Sequence, residues 1–354
     1  MAGLYVHIPF CRRRCLYCDF FSTTLLERRE EYVAALLREI AQRKEEAHEP
    51  IRTIYLGGGT PSTLEAADIA RVLQAIGTDD AEEITMEVNP GDVTPEYMRA
   101  LHTTGINRLS MGVQSFQDPL LQLIGRRHTA QQAIDAIHMA QDAGLDNLSI
   151  DLMYALPTQT QAMLSADIET ALQAGVQHIS TYGLMYEEGT AMTAMRDCGQ
   201  ITPVDEDSEN AMYDFICEQL RDNRFVHYEV SNFALPGYEA KHNSRYWDGT
   251  PYIGIGAGAH SYLPPIRSWN ADDLDAYIRG TAPRESETLT DTDRYNERIM
   301  LGLRTNKGVP RSEIHADIQP YLDANLLRET DDGHIVATQQ GIHILNRIIE
   351  DLMI

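Results

Sequence analysis

Three cysteines fall within eight residues, in Cys11-Arg12-Arg13-Arg14-Cys15-Leu16-Tyr17-Cys18. Spacings of four and three residues let three thiolates converge on one group from a single short loop. Iron–sulfur clusters take thiolate ligands, ordinarily four of them. Three from the protein leave one iron with an open coordination position. Arg12 to Arg14 lie among the thiols, where positive charge offsets a net negative cluster and favours the thiolate form. Two other readings use the same residues. A structural zinc site wants a fourth Cys or His and closed tetrahedral coordination, and His7, near in sequence, falls inside an apolar strand run. Free thiols brought together by chance are the other. Spacing and position directly after a strand favour the cluster.

Further polar residues recur at the ends of apolar runs. Gly57-Gly58-Gly59-Thr60-Pro61 ends one of them, and a glycine run there lets backbone N–H groups approach a ligand closely. A plain strand-ending turn would look the same. Glu87 ends the run Met86-Glu87-Val88, where a carboxylate can accept the hydroxyls of a ribose. Gln114 and Arg126 flank the next junction, and Asp151 lies in Ser149-Ile150-Asp151-Leu152-Met153. Each alone reads as a structural polar residue; their order at successive strand ends is what suggests a site. Farther on, His242-Asn243-Ser244-Arg245-Tyr246-Trp247 places an imidazole, a common axial ligand of heme iron, beside two flat apolar rings. Residue types alone favour a His that only hydrogen-bonds within a polar loop. His260 is a second candidate. Gly254-Ile255-Gly256-Ala257-Gly258-Ala259 imitates the dinucleotide fingerprint, but Pro264 and Pro265 follow too soon for a long helix. Cys198 and Cys217 lack metal-ligand spacing, and Cys217 reads as a small buried hydrophobe.

The elements that must position these residues are legible as an alternation. Strand-like runs at Leu4–Ile8, Thr53–Leu56, Ile84–Val88, Arg108–Val113, Leu148–Met153 and His178–Leu184 are separated by stretches of helical spacing, such as Ile69, Val72, Leu73 and Ile76. Six such alternations predict a parallel sheet with helices on its outside, closing into a partial (β/α)6 barrel of TIM type with chemistry at the carboxyl ends of the strands. An open doubly wound sheet is the alternative. The predicted domains are a barrel core over 1–185, a barrel extension with the His242 region over 186–284, and a helical, winged-helix-like unit over 285–354. Within these, Asp205–Arg221 reads as a helix, Phe225–Phe233 as a strand, and Leu326–Thr338 as a hairpin turning at Asp331-Asp332-Gly333, with Thr338 capping a last helix.

Composition narrows the function classes. The chain has 354 residues, of which 43% are hydrophobic and 23% charged, within the globular range. Its 29 Lys and Arg against 53 Asp and Glu leave a formal charge of −24, which repels nucleic acid and anionic lipid. No apolar run reaches the roughly 18 residues of a membrane span, and Met1 to Phe10 lacks the pattern of a secretory signal. A cytoplasmic protein is the expectation.

The cysteine pattern resembles the radical S-adenosylmethionine superfamily, whose members carry Cys-x3-Cys-x2-Cys after the first strand of a partial barrel. The resemblance implies a [4Fe–4S] cluster on Cys11, Cys15 and Cys18, and S-adenosylmethionine bound to the open iron through its amino and carboxylate groups. It also implies reductive cleavage of the sulfonium to a 5′-deoxyadenosyl radical. An aromatic residue before the third Cys, here Tyr17, is typical. Gly58, Gly59 and Thr60 would meet the methionyl end of the cofactor, and Tyr5, Glu87, Gln114, Arg126 and Asp151 would contribute further contacts. Whole phrases, Tyr5 to Cys11, Tyr17 to Phe20 and Gly112 to Phe116, are similar to the oxygen-independent coproporphyrinogen III oxidase-like family. Tyr228 to Phe233, His242 to Trp247 and Gly256 to His260 are similar to its heme-chaperone branch. That likeness implies heme as a further ligand, contacted by His242, Tyr246 and Trp247. It also implies heme-acceptor proteins of the respiratory chain, a reductant such as flavodoxin or ferredoxin, and membrane association only through partners. The true oxidase has another Cys at the position of Phe20 and a long segment before its first strand; this chain has only Met1 to Leu4 there. Both departures favour a chaperone over porphyrinogen oxidation, the alternative function. A plain electron carrier is the third class.

Overall fold

Six largely buried runs, the first five rich in Ile, Leu, Val or Met, form the parallel strands β1 (Ala2–Ile8), β2 (Ile51–Gly58), β3 (Glu83–Val88), β4 (Arg108–Gln114), β5 (Leu148–Tyr154) and β6 (His178–Gly183). The computed structural model describes residues 2–354; Met1, the start of the expected first domain, lies outside the described residues. The six strands pair in chain order. Helices return between them on the outside. The face Ile69, Val72, Leu73 and Ile76 of the helix Ala66–Ile76 is buried. Thr94, Thr129 and Thr160 cap the next three long helices, each side chain accepting a backbone N–H three residues on.

The remaining strands extend both edges. They are β7 (Val226–Glu229), β8 (Asn232–Ala234), β9 (Tyr252–Ile255), β10 (His260–Leu263), β11 (Ile266–Asn270) and β12 (Arg284–Thr288). The full order is β12-β11-β10-β9-β1-β2-β3-β4-β5-β6-β8-β7. β9 runs parallel to β1, while β8 runs antiparallel to β6. The sheet therefore ends in two different edges and is not a closed barrel. It is nevertheless curled, since residues from all six of the first strands line one cavity. This is the partial barrel, not the flat doubly wound alternative.

Three expectations are corrected. Phe225–Phe233 is not one strand: the chain reverses at Val230-Ser231, so β7 and β8 pair antiparallel. The boundary at residue 285 falls inside β12, which continues the large sheet by pairing with β11 from Arg284 to Thr288. The region 186–284 adds strands at both edges of the same sheet. Thr338 caps the short helix Gln339–His343, and a separate helix, Leu345–Leu352, follows after Ile344.

The C-terminal unit has its own core, which includes Ile299, Leu303, Ile318, Ile335, Ile348 and Leu352. Its helix Asp291–Gly302 opens with a capping box on Thr290 and Asp293. Its small sheet, β13 (Val309–Pro310), β14 (Leu327–Glu329) and β15 (His334–Ala337), has the order β13-β15-β14. The hairpin turns where expected, with Gly333 at φ 80°. Among the described residues, no helix is long and apolar enough to cross a membrane.

Candidate functional site

The loop after β1 is pinned at its base. The Cys11 amide donates to the Thr23 carbonyl at 2.8 Å and the Thr23 amide to the Pro9 carbonyl at 2.7 Å. The segment between is thereby displayed over the carboxyl ends of the strands. Cys11, Cys15 and Cys18 are free thiols; Cys11 is buried and the other two half-buried. All three line a cavity of about 440 Å3 together with Tyr5, Tyr17, Gly58, Gly59 and Thr60. Glu87, Gln114, Arg126 and Asp151 line it too. The structure thus brings every residue expected to serve the cluster and S-adenosylmethionine to one end of the sheet.

The local chemistry suits metal-bound thiolates. Arg126 donates from Nη1 to the Cys15 sulfur at 3.4 Å and from Nη2 to the Gly112 carbonyl. The Arg126 Nε is buried and has no partner. The Cys11 sulfur lies 3.5 Å from the Thr60 hydroxyl. Burial pushes the Cys11 and Cys18 thiols up from their ordinary values, so metal must displace protons there. Among the described residues, no three His, Cys, Asp or Glu side chains could hold a single metal ion. The three thiols border one cavity.

The glycine run is required twice over. A Cβ on Gly59 would lie 2.8 Å from the Pro9 carbonyl and 3.0 Å from the Cys11 sulfur; one on Gly58, where φ is 112°, would strike the His7 ring at 2.6 Å. Packing alone therefore demands glycine, and the same backbone also faces the cavity. Glu87 accepts from the Tyr55 hydroxyl at 2.8 Å and from the Gly58 amide at 3.1 Å. It supports the glycine turn directly, a role that strand position did not suggest. Burial raises its pKa to about 7. Burial likewise raises Asp151 to about 6, against a hydrogen bond from Ser110 at 3.5 Å. Gln114 has a φ of 72° beside an irregularity in the β4–β5 register. A non-glycine residue in this region costs of order 1–3 kcal/mol and persists where the surroundings hold it.

Sequence reasoning left some of the site unread. His7 is the expected strand residue, but it is also a strut. Its Nε2 donates to the Phe21 carbonyl and its Nδ1 accepts from the Tyr5 hydroxyl, each at 3.0 Å. The carbonyl can only accept, which fixes the tautomer. Phe20 and Met185 line the same cavity and are 67% and 69% exposed. Only their position just past a cluster ligand and a strand end could have signalled this apolar rim.

The His242 stretch lies elsewhere. The expected polar loop is a helix, Lys241–Asp248, laid across the amino ends of β2 and β3. The Lys241 and His242 amides donate to the Glu83 carboxylate at 2.9 and 2.8 Å, which anchors the helix N-terminus on a buried anion. His242 is 1% exposed. Its Nδ1 lies 3.0 Å from the Thr53 hydroxyl and its Nε2 2.9 Å from the Tyr246 hydroxyl. Burial holds the imidazole neutral, with its pKa lowered to about 3. A buried histidine with both nitrogens engaged is a packing residue of the barrel floor. The stretch shows no apolar helical period because His242 alone of its residues is buried. Tyr246 and Trp247, by contrast, line a second cavity, of about 530 Å3, at this opposite end. His260 is exposed, stacks on Trp269 and lines neither cavity. Cys198 is exposed and Cys217 is buried, as expected for the latter.

Comparison with known proteins agrees with this geometry. Residues 5–171 match the model of the radical SAM superfamily, and residues 289–344 that of the HemN C-terminal domain. The chain is 41% identical to the heme chaperone HemW of Lactococcus lactis, over 86% of this chain and 82% of that one. It is 35% identical to the heme chaperone HemW of Bacillus subtilis, over 89% and 86% of the two chains. In structure it is similar to coproporphyrinogen III oxidase (HemN) of Escherichia coli, with a TM-score of 0.84 over 99% of this chain and 90% of that one, at 23% identity. This last likeness concerns the fold alone.

Proposed function

We propose, for a chain that belongs to the radical SAM superfamily and within it to the family of the heme chaperone HemW, that it binds heme and passes it to acceptor proteins. The observation that carries this reading is the 41% identity to a heme chaperone over 86% of the chain. That span reaches well beyond the thiol-bearing barrel that the superfamily model covers. The presence of two cavities at opposite ends of the sheet supports it: one is equipped for a cluster and S-adenosylmethionine, the other is lined by Tyr246 and Trp247. Respiratory heme proteins are the proposed acceptors, and flavodoxin or ferredoxin the proposed reductant.

In this reading Cys11, Cys15 and Cys18 hold a [4Fe–4S] cluster, and Gly58, Gly59, Thr60, Tyr5, Glu87, Gln114 and Asp151 surround S-adenosylmethionine. When bound, the cluster offers one open iron and a reducing electron next to the sulfonium. The chain's own contribution is positional. Arg126 offsets negative charge at Cys15. Tyr17, whose hydroxyl burial keeps protonated, packs beside the thiols. Glu87 holds the glycine turn in place.

The alternative, porphyrinogen oxidation, is separated by one experiment. Anaerobic incubation with coproporphyrinogen III, S-adenosylmethionine and reductant is expected to give no vinyl product beyond background. The residue after Asp19 is the exposed Phe20, where the oxidase pattern has a further Cys. Vinyl product over multiple turnovers would overturn the chaperone reading in favour of the oxidase.

A further inference from the structure

The second cavity is charged against the grain of the molecule. In a chain with a net charge of −24, five Arg or Lys side chains line it against two carboxylates. The cluster cavity has three Arg against four carboxylates. Three of the five are already paired with carboxylates, Arg267 with Glu287 and Glu297, Arg294 with Asp291 and Arg298 with Glu313, which leaves Lys307 as the cation placed to meet an anionic ligand.

Its walls come from three parts of the chain. The Lys241–Asp248 helix supplies Trp247 and Tyr246, β9 and β10 supply Tyr252 and Tyr262, and the C-terminal unit supplies Leu301, Lys307 and His334. Tyr246 meets Tyr252 edge-on, with centroids 4.8 Å apart, so the aromatic wall is continuous. Lys307 is exposed and makes no hydrogen bond or ion pair among the described residues. Flat apolar wall and cationic rim together fit a planar, apolar macrocycle that carries carboxylates at one edge.

His334 adds a metal ligand. Its Nδ1 is buried, and no hydrogen bond from its Nε2 is seen among the described residues. Nδ1 pairs with the Asp332 carboxylate at 3.4 Å, and this contact helps hold the Asp332 carboxyl below its ordinary range. Ligating imidazoles characteristically keep a carboxylate or carbonyl at the nitrogen away from the metal, which sets the tautomer. His242 lacks this freedom, since Thr53 and Tyr246 occupy both its nitrogens.

We propose that heme is held in this cleft between the barrel floor and the C-terminal unit, with His334 as the iron ligand, Trp247 against the macrocycle and Lys307 toward the propionates. The inference rests on the heme reading above and names its site. It assigns the His242 helix an indirect part: His242 positions Tyr246 and Trp247 and does not touch iron.

The test is titration of the full chain with hemin and, separately, with metal-free protoporphyrin IX. His334→Ala is expected to weaken hemin binding by at least about tenfold and to shift its Soret band, as loss of a metal ligand does. Metal-free porphyrin, which needs no ligand, is expected to bind that variant nearly as well as it binds the wild type. Lys307→Glu, an exposed change that spares the fold, is expected to weaken both porphyrins. Unchanged hemin affinity and spectrum in His334→Ala would overturn the cleft assignment while leaving the heme reading intact. Absence of saturable hemin binding by the wild-type chain would remove the heme reading, and this inference with it.

Discussion

The Glu87 carboxylate holds the glycine turn by its backbone: the Gly58 amide donates to Oε2 at 3.1 Å while the Tyr55 hydroxyl occupies Oε1. Burial raises the carboxyl from 4.5 to about 7. The folded chain therefore keeps a proton that the unfolded chain has already released above pH 4.5. Stability associated with Glu87 is full below about pH 4.5 and declines as pH rises through about 7. Compared with Glu87→Gln, the cofactor-free wild type is expected to lose about 1–3 kcal/mol across that window. Denaturant unfolding of both proteins from pH 4 to 8 checks this; parallel stability profiles would contradict it.

Iron content tests the thiol loop. After anaerobic reconstitution the chain is expected to hold about four irons, the content of a cubane cluster. Exchange of Cys11, Cys15 and Cys18 for Ala is expected to remove that iron and the thiolate-to-iron absorption. Far-ultraviolet circular dichroism is expected to persist, because the loop is anchored by backbone bonds at Pro9 and Thr23. Full iron in the triple variant would contradict the assignment.

His242 is expected to act on stability before it acts on ligand. Its replacement by Ala empties a fully buried site and strands the Tyr246 hydroxyl, while Thr53 keeps the bond from Arg245, at a cost of about 2–4 kcal/mol. The pH dependence has a definite sign. An imidazole lowered to about 3 in the fold contributes stability that is present above pH 6.5 and lost as pH falls below it. Thermal unfolding at pH 5 and 7.5 is expected to show the wild type losing more on acidification than His242→Gln.

Gln114 separates strain from binding. Its φ of 72° is left-handed, so Gln114→Gly is expected to raise stability by about 1 kcal/mol. The same change removes a side chain that lines the cluster cavity and is expected to weaken S-adenosylmethionine binding by calorimetry. Unaltered binding would make Gln114 a structural residue only.

Much of this was legible because one physical rule governs it. Parallel strands buried on both faces read as short apolar runs, so all six barrel strands and the polar residues at their ends stood out. The thiol loop was legible from spacing alone. What escaped was set by long-range packing. No local signal marks Glu83 as the anion that receives the Lys241–Asp248 helix, so His242 read as a loop residue instead of a floor of the barrel. Nothing local tells β9 to pair with β1 across some 250 residues, or that His334 faces the cavity lined by Trp247. The second cavity exists only once three distant segments meet.

The most direct test of the central claim is a transfer experiment. The anaerobically reconstituted chain is titrated with hemin to saturation, freed of excess ligand and mixed with an apo heme protein of the respiratory chain, while the Soret band is followed. The account predicts a saturable, stoichiometric complex whose band gives way to that of the loaded acceptor. No saturable complex, or a complex that releases heme no faster to the acceptor than to buffer, would contradict it.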